Sequence, residues 1–240
     1  MNIDLYFTAA GLSENDLRGK TVTVVDVLRA CTVIPTALKA GCKEIIPVKS
    51  IGDSSTLLGN LDRDVVVLAG EREGHRIEGF DLGNSPFEFT ESVVGGKTVI
   101  LASTNGSKVL VLGSAGEACV AASFVNVSVI AEEIARIGND TVIICSGKEH
   151  RFSMEDALCG GMIISRLGER ADTANDAAQV AKGLYDRYSG DLPGALKSCD
   201  HGRYLKSIGF GGDIDYAASV DSVPILPIMR QGRLVNGEEC

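Results

Sequence analysis

Short runs of β-branched and other apolar residues alternate with stretches of helical period over the first two-thirds of the chain. Ile3–Phe7, Thr21–Val25, Glu44–Val48, Val65–Ala69, Thr98–Ala102, Glu117–Ala121 and Asp140–Cys145 read as strands. Several are apolar throughout, as strands covered on both faces must be. Between them, Thr32–Ala40, Ser54–Leu58, Ser107–Leu112 and Val127–Ile137 read as helices. The alternation predicts an α/β fold of three layers, α/β/α, with a largely parallel or mixed sheet. Within Thr32–Ala40, Thr32 is the expected N-cap and Pro35 falls in the first turn, where a missing N–H costs nothing. Lys39 closes the last turn and Gly41 follows it as the C-terminal signal.

After Ser146 the pattern changes. Met154–Leu167, Ala174–Tyr188, Pro193–Ser198 and Tyr204–Ile208 read as helices. A late run, Val223–Ile228, carries two prolines and is expected as an edge strand or extended tail. The organisation predicted is one domain over 1–240, sheet-rich over 1–150, with a mainly helical part, 151–240, packed on it.

Charge and composition narrow the partners. The 240 residues are 45% hydrophobic and 23% charged, with a formal net charge of −9. That sign argues against nucleic acid or an anionic membrane as the main partner. A small anionic substrate would need local cations or a metal. The N-terminus has no basic start and no long apolar run, so a cytoplasmic location is expected. Seven cysteines, Cys240 among them, show no C-x-x-C spacing, which argues against a disulfide framework or structural zinc and for small buried side chains. A homo-oligomer, with a dimer as default, is expected.

Four predicted strands end in chemistry, and ligands of open α/β sheets bind at the carboxyl ends of strands. One releases Asp26 and Arg29, the next Glu71 and Arg72. A third ends in Ser103, Thr104, Asn105 and Gly106, and the fourth in Gly147 and Lys148, with Glu155 and Asp156 beyond. Asp26, Glu71, Asp81, Glu155 and Asp156 are hard oxygen ligands of the kind Mg2+ prefers. Arg29 and Arg72 offer forked donors for phosphate or sulfonate. The S-T-N-G-S run supplies hydroxyls and backbone N–H groups ahead of a helix, an anion cradle. Together these point to metal-assisted transfer of a phosphoryl group to water.

Each has a plainer reading beside it. Asp26 can cap a turn, Asn105–Gly106 can be a tight turn, and Ser153 to Asp156 fits a capping box. Glu71 and Arg72 can be a surface pair, and Lys148 can be a solvated cation. His75 and His150 sit in polar loops, and His201 can start a helix or donate a proton. The chain has no H-E-x-x-H, no G-x-S-x-G, no P-loop (position 91 is Glu91) and no G-x-G-x-x-G after a strand. The start V-V-D-V-L-R has Leu28 where a haloacid-dehalogenase nucleophile strand carries its second acid.

Five stretches in order, VVDVLRACT (24–32), GEREGHRIEGFDLGNSP (70–86), STNGS (103–107), FSMEDALCGG (152–161) and DHGRYLKSIGF (200–210), resemble the 2-phosphosulfolactate phosphatase family. The resemblance implies a three-layer α/β fold and Mg2+-dependent hydrolysis of 2-phospho-3-sulfolactate to 3-sulfolactate and phosphate, a step of coenzyme M biosynthesis in methanogens. Cys31 stands where the family has Ser, and Glu73 adds a charge where Gly is common. The mechanism expected of these residues has Asp26 and Glu71 holding the metal, with or without Asp156, and Asp81 or Glu155 orienting water. Arg29 and the Asn105–Gly106 loop neutralise the phosphate. Asn84 and the Ser85 N–H hold an anionic oxygen, and Arg72 or Lys148 meets the sulfonate. Asp26 as a covalent nucleophile is the variant. Another small phosphorylated hydroxy acid as substrate, or a non-catalytic anion-binding protein, are the rival readings.

Overall fold

The structure is a computed structural model that describes residues 1–59 and 61–237. Its strands are β1 (Asn2–Tyr6), β2 (Thr21–Val25), β3 (Glu44–Pro47), β4 (Val66–Arg72), β5 (His75–Arg76), β6 (Thr98–Ala102), β7 (Ala118–Ala122), β8 (Thr141–Cys145), β9 (Thr173–Ala174), β10 (Pro227–Arg230) and β11 (Arg233–Asn236). They form one mixed sheet in the order β5-β4-β6-β3-β11-β10-β7-β2-β8-β1-β9. Two parallel blocks stand out: β4, β6 and β3 on one side, and β7, β2, β8 and β1 on the other.

The alternation of side chains assigns the layers. Val22 and Val24 of β2, Val142 and Ile144 of β8, and Val99 and Leu101 of β6 face one way. They meet Val33, Ile34 and Leu38 of the helix Ala30–Lys39 and Val109 and Leu110 of the helix Gly106–Gly113. Val25, Val120 and Ile143 face the other way, onto Ile130 and Ile134 of the helix Val127–Ile137 and Leu158 and Ile163 of the helix Met154–Leu167. Each such side chain, fully buried, contributes about 2 kcal/mol of hydrophobic stabilisation. The helices Asp176–Tyr188, Leu192–Ser198, Asp200–Ser207 and Gly211–Ala217 complete the C-terminal part. No helix among the described residues is long and apolar enough to cross a membrane.

Three expectations are corrected. The late strand is neither edge nor tail: β10 and β11 form an antiparallel hairpin in the middle of the sheet, pairing Ile228 with Val120 and Leu234 with Ile45, and so join the two parallel blocks. Pro227 is tolerated because it is the first residue of its strand. The two-residue turn Gln231–Gly232, with φ of 51° and 79°, matches the strand twist. Second, the helix predicted from Thr32 begins at Ala30 with Arg29 at its N-cap, so Pro35 lies in its second turn. Thr32 Oγ1 instead donates to the Val27 carbonyl at 2.8 Å. Third, Thr173–Ala174 pairs with β1, and the following helix starts at Asp176 with Asn175 as its cap. The six cysteines among the described residues are free and buried; Cys240 lies outside those residues.

Candidate active site

The carboxyl ends of β2, β4, β6 and β8 line one narrow crevice of about 60 Å³, whose walls include Asp26, Glu71, Asn84, Thr104, Asn105, Lys148, His201 and Tyr204. A wider cavity of about 470 Å³ adjoins it and shares Lys148, Glu149 and His201. The shared rim follows from the parallel topology: strands running the same way release their exit loops on the same edge.

Asp26 leaves β2 buried, with Oδ1 accepting the Ala30 N–H at 3.2 Å. Burial pushes its carboxyl up to about 6; the Glu71 and Glu155 charges add to the rise, and His201 opposes it. Gly106 packs directly against it. The Asn105–Gly106 pair is therefore no turn: Gly106 is the first residue of its helix, and a side chain there would run into the Asp26 carboxylate.

Glu71 binds two loops together, Oε1 accepting the Thr104 N–H at 2.7 Å and Oε2 the Gly74 N–H at 3.0 Å. Asp156 does the same for the β2 and β8 exits. Its oxygens accept the N–H groups of Val27 at 2.8 Å and Gly147 at 3.1 Å. Burial and the Glu155 and Asp26 charges push its carboxyl well above the ordinary value. Asp156 thus staples two loops together, with both of its carboxylate oxygens engaged by backbone N–H groups. Ser153 caps the same helix, so the capping reading also holds.

Arg29 is committed elsewhere than expected. Its Nη1 donates to Asp213 Oδ2 at 2.6 Å and its Nη2 to the Gly74 carbonyl at 2.7 Å, with Phe210 stacked 4.3 Å away. Asp213 also accepts from Ser85 Oγ at 2.7 Å. The Ser85 N–H donates to Glu88. Arg29 lines the crevice while held by Asp213 and Gly74, and Ser85 is held by Asp213 and Glu88, so both brace the crevice wall. Arg72 turns back to the carbonyls of Glu71 and Ala102 and is not among the crevice walls.

The Gly79–Pro86 loop splits by residue. Gly79 has φ of 81°, which a side chain would resist. Asp81 points away from the crevice: it accepts the Leu68 N–H at 2.8 Å and pairs with Arg63 at 2.5 Å. Burial would raise its carboxyl, but Arg63 and the Leu68 N–H hold it below the ordinary value. The sequence reading of Asp81 as metal ligand or water-orienting base is corrected accordingly. Asn84 does reach the crevice, and its buried Oδ1 has no hydrogen-bond partner among the described residues.

Glu155 is 2% exposed and faces His201, Oε1 to Nδ1 at 3.2 Å. Burial would raise its carboxyl, but the His201 hydrogen bond and charge keep it below the ordinary value. Lys148 lies 4.4 Å over the Tyr204 ring, and the Tyr204 hydroxyl donates to the Glu73 carbonyl at 2.9 Å. Asn105 Oδ1 accepts the Glu149 N–H at 3.3 Å. His201, read from the sequence as a helix start or a proton donor, lines the crevice, and Tyr204 and Asp213 were not singled out from the sequence. His201 and Tyr204 stand in DHGRYLKSIGF, a stretch that carried the family resemblance, which was the available signal.

Among the described residues no three or more His, Cys, Asp or Glu side chains gather to hold a metal ion. The expected trio of Asp26, Glu71 and Asp156 is accordingly not assembled. The donor chemistry still fits Mg2+, which keeps several waters and needs only one or two carboxylates beside a substrate phosphate. The Glu71 charge raises the cost of ionising buried Asp26, and the orphaned Asn84 Oδ1 opens on the same crevice.

Comparison with known proteins gives the family. The family model described as 2-phosphosulpholactate phosphatase matches residues 6–232. A protein of Caldanaerobacter subterraneus subsp. tengcongensis named "Probable 2-phosphosulfolactate phosphatase" is 39% identical over 233 residues, 97% of either chain. One of the same name from Clostridium acetobutylicum is 35% identical over 237 residues, 98% of this chain and 100% of its own. The chain belongs to the 2-phosphosulfolactate phosphatase family, and so to the phosphoric monoester hydrolases.

Proposed function

We propose that this chain hydrolyses 2-phospho-3-sulfolactate to 3-sulfolactate and phosphate with Mg2+. The observation that carries the reading is Asp26: a buried carboxylate at the floor of a crevice, pressed against the first residue of a helix. The phosphate is read as seated by Thr104, Asn105 and the start of that helix, where backbone dipoles favour an anion. The rest of the substrate extends into the wider cavity, where Lys148 and Arg151 supply positive charge for the carboxylate and sulfonate.

Asp26, Glu71 and Asn84 Oδ1 are the groups that would hold Mg2+. When bound, the ion would offset the repulsion between phosphate and carboxylates and acidify a water. The residues themselves set the geometry. Glu71 fixes the Thr104 loop, Asp156 fixes the β2 and β8 exits, and the Ser85–Asp213–Arg29 chain fixes the wall opposite. Asp26 attacking phosphorus itself is the variant, and trapping of a phosphoenzyme separates it.

The test is phosphate release from racemic 2-phospho-3-sulfolactate and from phospholactate, with Mg2+ and with EDTA. Mg2+-dependent release favouring the sulfonate is expected. Equal release from both would keep the phosphatase and discard the sulfonate preference. Saturable phosphate binding without turnover would replace the enzyme with an anion-binding protein.

A further inference from the structure

We propose that His201 donates the proton to the leaving oxygen of the substrate and that Glu155 positions it. The inference rests on the reading of the crevice as the phosphatase site. His201 lines both the narrow crevice and the wider cavity. It therefore stands at their junction, where the ester oxygen must lie if the phosphate enters the crevice and the hydroxy acid fills the cavity. Its Nδ1 faces Glu155 Oε1 at 3.2 Å. Glu155 is buried and held below the ordinary carboxylate range, so it stays an acceptor and keeps the proton of that hydrogen bond on Nδ1. Nε2, on the opposite edge of the ring, is left for the substrate.

Three other proton carriers of the crevice are engaged by neighbours. Tyr204 donates its hydroxyl hydrogen to the Glu73 carbonyl, Lys148 sits over the Tyr204 ring, and Arg29 is held by Asp213. The neighbours of His201 on its helix, Asp200 and Arg203, pair with each other.

The chemistry needs such a group. The leaving group is a secondary alkoxide, which departs poorly without a proton. As the ester P–O bond breaks, its electron pair stays on the ester oxygen, which takes the Nε2 proton and leaves as the hydroxyl of the product. The water that supplies oxygen to phosphorus gives up a proton, which returns His201 to its starting form.

The experiment compares wild type, His201→Ala, His201→Gln and Glu155→Gln on 2-phospho-3-sulfolactate and on p-nitrophenyl phosphate, whose leaving group needs no proton. The expected kcat on the alkyl ester falls about 10²- to 10⁴-fold in both His201 variants, with the aryl ester affected about threefold or less. Glu155→Gln, a positioning change, gives the same selectivity at about tenfold. Aryl turnover also reports folding, and Gln serves where Ala does not fold. On the native substrate alone, the leaving-oxygen ¹⁸O isotope effect is expected to rise in the His201 variants. An unchanged isotope effect, or an equal loss on both esters, would overturn the proton-donor role and leave the phosphatase reading standing. No turnover of either ester by the wild type would overturn that reading and this inference with it.

Discussion

Gly106 and Asp26 touch so closely that a β-carbon on Gly106 would overlap Asp26 Oδ2 and stand 3.0 Å from its Cγ. The glycine is helical, so space and not backbone freedom dictates it. Gly106→Ala must push the carboxylate aside. Displacements of this size cost on the order of 10² in rate, and kcat is expected to fall by about that factor with the circular dichroism spectrum unchanged. A wild-type kcat would remove Asp26 from the centre of the site.

Asp26 also predicts a dependence of stability on pH. Its folded value, about 6, lies above the ordinary 3.8, so the native state binds the proton more tightly than the unfolded chain. Stability from this group is full below about pH 4 and is lost as pH rises through 6, a penalty of about 3 kcal/mol above it. In EDTA, Asp26→Asn is expected to be more stable than wild type by up to about 3 kcal/mol at pH 8, with no gain near pH 4. Urea unfolding at the two pH values measures this. Turnover by the same variant should fall about 10³-fold or more.

The Arg29–Asp213 pair is buried on both sides, 2% and 3% exposed. Asp213→Ala leaves a guanidinium without its counter-charge and should cost about 3–5 kcal/mol in urea unfolding. Ser85→Ala, which removes one neutral donor to the same carboxylate, should cost only about 1 kcal/mol. Equal costs would mean that the charge is not what the wall depends on.

Asp81 provides the contrasting case. It is partly exposed and engaged with Arg63 and the Leu68 N–H. Asp81→Asn is expected to keep kcat within about twofold and to lose less than about 1 kcal/mol. A hundredfold loss of kcat would restore it to the chemistry.

Much of the layered fold was legible because it is written locally. Thr21–Val25 and Thr98–Ala102 are β-branched or apolar at every position and are strands with those bounds; the helices Val127–Ile137 and Met154–Leu167 likewise follow from their period. The order of strand and helix then implied parallel pairing, and parallel pairing put Asp26, Glu71, Thr104 and Lys148 on one rim.

Only the tertiary structure decided the rest. The hairpin β10–β11 spans four residues a strand and pairs with partners about 108 and 189 positions away (Ile228 with Val120, Leu234 with Ile45), so its central place carries no local signal. The sequence offered five acids, and which of them faces the crevice depends on backbone N–H groups supplied by other segments. Val27 and Gly147 claim Asp156, and Leu68 claims Asp81. Glu155 meets His201 across 46 positions. Composition and spacing determine which groups a chain possesses; long-range packing determines which of them are consumed holding the site together and which are left to act.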